Sequence, residues 1–172
     1  AVLDINAKAI ITCVLISLLI VVGFMDWDTM EIDMIIVALI FLLAIPSAIF
    51  TEDASIKSRI IGALIISVPF FIIGEISRIF IRKKTGEDFR AIELGDTILM
   101  FAAGALLGTQ AIIVSAFVGI LLAAIGGIAY KAVTGESKLA FGPYLSMGIA
   151  IAALWGGSIA NWYIGLFADK MQ

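Results

Sequence analysis

Two groups of carboxylates stand at the edges of apolar runs. Asp26, Asp28, Glu31 and Asp33 follow the first run, and Glu93 and Asp96 precede the longest one, Thr97 to Tyr130, which contains no charge. A carboxylate kept at a membrane boundary is costly and points to a role. Apolar surroundings help such a group hold a proton near neutral pH. Three chemistries are open to acids so placed. They can solubilise a loop, handle ions or protons, or work as a catalytic pair in which one carboxyl holds a proton while the other activates water. Loop solubility suits Glu31, Asp33, Glu87 and Asp88; the residue types alone do not separate the other two for the remaining acids.

Other chemistries are excluded by composition. The sequence has no His, which removes His-based triads, two-His zinc sites and haem ligation by His. Its one Cys, Cys13, lies inside the first apolar run, where it is expected to pack; neither a zinc tetrad nor an internal disulfide can form. Hydrophobic residues make up 62% of 172 and the mean hydropathy is +1.16, far above the share in a soluble domain. The class is an all-α polytopic membrane protein, read as one integral-membrane domain over 1–172. The formal charge of −3, spread over short loops, argues against nucleic-acid partners. The opening apolar run ends in acids rather than in a small-residue cleavage site, so no cleavable signal is expected.

About 20 apolar residues are needed per span. Six spans are expected, at about Ala7–Met25, Met34–Phe50 with Pro46 near its end, Ile60–Ile81, a short fourth from Asp96, Ala111–Tyr130, and Phe141–Phe167. The break between the fourth and fifth is placed at Gly108-Thr109-Gln110, the polar interruption that contains a Gly. The fourth span covers only about 18 Å at 1.5 Å per residue. Its helix must therefore start earlier, near Ile92, or Asp96 must lie below the surface in a water-filled recess. With this count both acid groups fall on the same side and can meet.

Orientation follows from basic residues in short loops. Arg82, Lys83, Lys84, Arg90, Lys131 and Lys138 share the side of the acids, against Lys8, Lys57, Arg59 and Lys170 opposite. The acids are expected in the cytoplasm and both termini outside. Gly104 and Gly108, and Gly119, Ala123 and Gly127, have the spacing of close helix packing. Glu75 and Arg78 are expected to pair on one helical face, and Asn161 to bond between helices.

Three local patterns, in order, resemble the catalytic domain of the bacterial type IV prepilin peptidases. Asp26-Trp27-Asp28-Thr29-Met30-Glu31-Ile32 is similar to the family's D-x-x-T-x-x-I/L-P segment. Glu93-Leu94-Gly95-Asp96, with Leu99 and Ala102-Ala103-Gly104-Ala105-Leu106-Leu107-Gly108 behind it, resembles G-x-G-D-V-K-L and its trailing small-residue helix. Phe141-Gly142-Pro143-Tyr144-Leu145 with Gly148 is similar to F-G-P-F/Y-L-x-x-G. Three positions depart from the family: Glu93 stands for the first Gly of G-x-G-D, Ile98 for Lys, and Asp33 for Pro. The zinc-bearing methylation domain of the larger members is missing, so the chain resembles a peptidase-only form or a fragment.

The resemblance implies a GxGD aspartyl protease-like fold. It implies an endopeptidase, without metal or organic cofactor, that removes the basic leader of prepilin-like or pseudopilin precursors at the cytoplasmic membrane face. Asp26 and Asp96 would be the catalytic pair, with Asp28 in reserve for the first role. Gly95 would let the substrate backbone approach, Phe141 and Gly142 would shape the cleft wall, and Pro143 would start the last helix. The extra acids Glu31, Asp33 and Glu93 would attract a basic leader. The competing reading is a non-enzymatic transporter or assembly factor that uses the same carboxylates. A presenilin-like protease is disfavoured because no Pro-Ala-Leu occurs in the sequence. An archaeal preflagellin peptidase is disfavoured by the Phe-Gly-Pro-Tyr-Leu signature.

Overall fold

A computed structural model describes residues 6–51, 53–86, 88, 90–135 and 139–168. Its helices are α1 (Ala7–Thr29), α2 (Met34–Leu42), α3 (Ala44–Phe50), α4 (Ile56–Thr85), α5 (Leu94–Leu107), α6 (Thr109–Thr134) and α7 (Gly142–Ala168). Helices α1, α4, α6 and α7 are long and apolar enough to cross a membrane, and the chain is a multi-pass membrane protein. Helices α2 and α3 are one apolar segment broken at Leu43. Pro46 supplies no N–H for the carbonyl one turn back, which accounts for the break.

The six expected segments are present, but three run further into the polar flanks. Helix α1 continues past Met25, so that Asp26 and Asp28 lie on its last turn rather than in a loop. It stops at Met30, which adopts the left-handed conformation at φ 57° and whose N–H donates to the Asp26 carbonyl. Helix α4 begins at Ile56 behind the Ser55 cap and extends to Thr85, and α6 continues to Thr134.

Helix α5 is the centre of the bundle. Leu99, Met100, Ala102, Ala103 and Leu106 are all buried, and α5 packs against α2, α3, α4, α6 and α7. Helix α4 approaches α5 most closely at two glycines. A Cβ on Gly104 would stand 2.2 Å from the Gly62 carbonyl oxygen, and one on Gly62 would stand 2.7 Å from the backbone of Gly108. Gly119 and Gly148 bring α6 and α7 together in the same way, with a Gly148 Cβ only 2.8 Å from the Gly119 nitrogen.

The fourteen residues of α5 measure about 21 Å, against about 30 Å of hydrocarbon. Its C-terminal carbonyls are thus left inside the protein, and Arg59 of α4 reaches them. Its guanidinium donates to the carbonyls of Leu106 and Ala105, to Ser47 Oγ (3.1 Å) and to Thr51 Oγ1 (3.3 Å), and its Nε donates to the Ala54 carbonyl (3.2 Å). Arg59 is 6% exposed. The orientation count above treats it as a loop charge, and the structure corrects this: Arg59 is a buried donor that closes the end of α5. Beside it, the Thr109 N–H donates to Ser58 Oγ (3.0 Å) and the Thr109 hydroxyl to the Ser58 carbonyl (2.8 Å). Gly108, at φ 80°, makes the abrupt turn between α5 and α6.

Glu75 and Arg78 also depart from the expected pair. They stand 3.8 Å apart, and each has a nearer partner in the loop before α5. Arg78 binds Asp88 through two contacts of 2.5 and 2.7 Å, and Glu75 binds Arg90 at 2.6 Å. Asp88 is therefore a tether as well as an exposed loop charge, and Arg78 holds its carboxyl below the ordinary range. Glu87 lies outside the described residues, as do Lys138 and Lys170. Asn161 is exposed on α7.

Arg59→Met keeps the apolar stem and removes every donor, stranding buried carbonyls. A loss of about 3 kcal/mol is expected, read as a lower unfolding temperature in detergent. Lys57→Met, at an exposed position two residues away, should leave that temperature unchanged.

Candidate active site

Asp26 comes from the last turn of α1 and Asp96 from the first turn of α5. They are 5% and 4% exposed, and both line one cavity of about 710 Å³. Asp96 sits in the electrostatic field of Asp26. Span parity required the two to share a side, and the fold brings them to one cavity.

Each carboxylate is held by a backbone donor. The Gly142 N–H at the start of α7 donates to Asp26 Oδ2 at 2.8 Å. This contact requires a glycine, because a Cβ on Gly142 would fall 2.8 Å from Asp26 Cγ. The Glu93 N–H donates to Asp96 Oδ2 at 3.3 Å, so Asp96 also helps to cap its own helix. Phe141 lines the cavity wall, with its ring 6.3 Å from that of Phe70. Pro143 is the second residue of α7 and packs beside Gly23 of α1.

Gly95 has a different role from the one expected. A Cβ there would stand 2.9 Å from Ile32 Cβ. The space it leaves is filled by Ile32, the buried end of the first motif, rather than kept open for a substrate backbone. The first two motifs are therefore interlocked through Ile32 and Gly95. Asp33 caps α2, accepting from the Ile35 N–H at 2.7 Å, which accounts for an acid at that position. Asp28 is exposed and is not among the residues lining the cavity.

Arg90, counted only as a loop charge in the sequence, lines the cavity together with Glu93, which was expected only to attract a basic leader. The loop that carries them is strapped to α4. The Ala91 N–H donates to Ser77 Oγ at 2.9 Å, and Gly74 leaves room for the Ile92 carbonyl, which would be 2.7 Å from a Cβ. Nothing in the linear pattern announces this strap, since Gly74 and Ser77 read as ordinary residues of an apolar span. The Glu93 carboxyl is pushed above the ordinary range by partial burial and then by the charges of Asp26 and Glu31, with Arg90 opposing. Chemically, the cavity offers two buried, separately anchored carboxyls next to room for a peptide segment.

Comparison with known proteins points the same way. A profile of the type IV leader peptidase family matches residues 13–128. Similar relatives are described as prepilin leader peptidase/N-methyltransferase. The one from Legionella pneumophila is 39% identical over 74 residues, which is 41% of this chain and 26% of that protein. The one from Aeromonas salmonicida (strain A449) is 42% identical over 73 residues, 41% of this chain and 25% of that protein. The one from Aeromonas hydrophila is 41% identical over 76 residues, 42% and 26% respectively. The match spans about a quarter of the length of these relatives. No solved structure matches.

The raised Glu93 carboxyl has a definite pH consequence. It contributes nothing below the ordinary glutamate range, where it is protonated folded or unfolded, and it costs stability once the pH forces it to ionise in the folded chain. The unfolding temperature of Glu93→Gln, relative to the parent, should therefore rise as pH increases through the carboxylate range. A gap that shrinks with rising pH would contradict the placement of Glu93.

Proposed function

Because the chain belongs to the type IV leader peptidase family, we propose that it is an aspartyl endopeptidase acting on prepilin-like or pseudopilin precursors, with 1–172 forming one membrane peptidase domain. The observation that carries this reading is the pair Asp26 and Asp96, buried on one cavity and each anchored by a backbone N–H.

In the reaction, the two carboxyls share one proton, since two close carboxylates do not readily both ionise. The ionised member takes a proton from a water held between them, and the water oxygen attacks the scissile carbonyl. The protonated member donates to the carbonyl oxygen as it becomes tetrahedral. Collapse of that intermediate returns a proton to the leaving amine, giving a free carboxyl on the leader and a free amine on the remaining chain. The Gly142 N–H fixes Asp26 throughout, because a carboxylate at the end of a helix has rotational freedom that one backbone donor removes.

The site faces the cytoplasm in this reading, with the protein in the cytoplasmic membrane. Arg82, Lys83 and Lys84 end α4 on the side where the loop to Asp96 begins, in keeping with the enrichment of basic residues on cytoplasmic flanks. Glu93 and Glu31 make that mouth acidic, which suits a Lys- or Arg-rich leader.

With a pilin-like precursor in detergent and a size shift on a gel as readout, Asp26→Asn and Asp96→Asn should each abolish cleavage while the protein still folds. Asp28→Asn should cleave normally. Full cleavage by either of the first two variants overturns the assignment. Gly142→Ala displaces the Asp26 carboxylate without altering any ionisable group. Cleavage is expected to fall about a hundredfold, the usual scale for misplacing a reacting group by about an ångström.

A further inference from the structure

Helices α1, α4 and α6 end on the same kind of cap. In each, a residue in the left-handed conformation returns its N–H to the carbonyl four residues back: Met30 to Asp26 (2.9 Å), Gly86 to Arg82 (3.1 Å) and Gly135 to Lys131 (2.9 Å). Glycine is the usual residue there, because the Cβ of an L-residue crowds the following carbonyl oxygen. A Cβ on Gly86 or Gly135 would meet nothing within 4 Å, so these two caps are glycine for the sake of the backbone alone. Met30, at φ 57°, is the one non-glycine residue with a positive φ among the described residues.

Packing does not account for a side chain at this cap. Met30 is 40% exposed and lies outside the buried apolar core. It does line the cavity shared by Asp26 and Asp96, which neither Gly86 nor Gly135 reaches. The turn around it is also fixed from both sides. The Thr29 hydroxyl donates to the Met25 carbonyl (2.8 Å) and accepts from the Glu31 N–H (3.3 Å). Backbone strain that neighbouring bonds over-determine, next to reacting groups, points to a use for the strained residue. Of the apolar residues that line the cavity, Met30 alone has a long unbranched side chain. Its rotatable bonds let a thioether adapt to apolar groups of different shape.

We propose that Met30 is a specificity-determining residue. Its side chain forms an adaptable wall for an apolar substrate side chain beside the scissile bond, four residues on from Asp26, and the left-handed cap holds it there. This rests on the proteolytic reading above, and it adds a residue of the first motif that meets the substrate without taking part in proton transfer.

The test reads binding separately from cleavage. A fluorescent synthetic peptide, a Lys-rich leader followed by apolar residues, is titrated with the Asp96→Asn chain in detergent. Adding Met30→Gly supplies the residue that the cap prefers and removes the wall. The unfolding temperature should hold or rise, while Kd for the peptide rises about tenfold, equivalent to about 1.4 kcal/mol. Met30→Leu keeps an apolar side chain and should keep most of the affinity. In the chain with both aspartates, Met30→Gly should raise KM about tenfold while kcat holds, because the N–H that binds the Asp26 carbonyl remains. Shortening to alanine the apolar peptide residue that flanks the scissile bond should remove the difference between Met30→Gly and the parent, as expected of two groups in contact. A lower unfolding temperature for Met30→Gly would mean that the side chain is kept for packing, and overturns the proposal. An unchanged Kd, or equal losses for glycine and leucine, overturns it as well. Absence of cleavage by the unsubstituted chain overturns the proteolytic reading instead, and the Kd values still decide the role of Met30.

Discussion

A helix too short to cross the bilayer sits at the centre of this protein, and much of its surroundings compensates for that. Backbone carbonyls left open inside a membrane protein cost several kcal/mol unless something donates to them. Arg59 supplies the donors at the C-terminal end of α5. Gly62 and Gly104 allow α4 to lie close enough for that side chain to reach. At the other end, the short helix sets Asp96 within the protein rather than at its surface, where it lines the cavity shared with Asp26. The burial of the second aspartate and the cost of the stranded carbonyls thus have the same origin.

The three sequence motifs become one object once folded. Ile32 from the first fills the space over Gly95 of the second, and the Gly142 N–H of the third binds Asp26 of the first. Each contact has backbone on one side and a short reach on the other, the Asp26 carboxylate or the Ile32 Cβ, without intervening long side chains. Small movements of α1, α5 or α7 therefore act directly on the carboxylates, with no flexible side chain to absorb them. The loop before α5 is fixed to α4 by a different means, through paired charges and the Ser77 hydroxyl.

Much of this was legible in the linear sequence. The six apolar segments, the break at Gly108 and the common side of the two acid groups follow from hydropathy and from one glycine in a polar interruption, whereas only four of those segments are long enough to cross a membrane. The catalytic candidates needed motifs as well, because charge and burial alone do not separate a proton relay from a protease. What could not be read depends on long-range neighbours. Arg59 looked like a loop charge because its acceptors are 46 and 47 residues away. Gly95 looked like an opening because its occupant, Ile32, lies in another motif. Glu75 and Arg78 satisfy the helical spacing rule, yet each finds a closer partner in a loop whose path the sequence does not disclose. Glu93, an acid in place of a glycine, has a physical setting in the fold: its N–H caps α5 through Asp96 while its side chain lines the cavity beside Arg90.

The fixed length of α5 also ties this protein to the lipid around it. Both ends of the helix are clamped, by Arg59 and Ser58 at one and by the Glu93–Asp96 cap at the other, so it cannot lengthen to suit a thicker membrane. Where the broken α2–α3 segment, which packs on α5, meets the lipid, a bilayer thicker than the segment must thin locally, and each ångström of mismatch costs a fraction of a kcal/mol. Lengthening the acyl chains of the host membrane therefore strains the folded protein, and shortening them relieves it. Acyl-chain length thus acts on this fold as an external variable, reaching the aspartate pair through the helix that carries one of them.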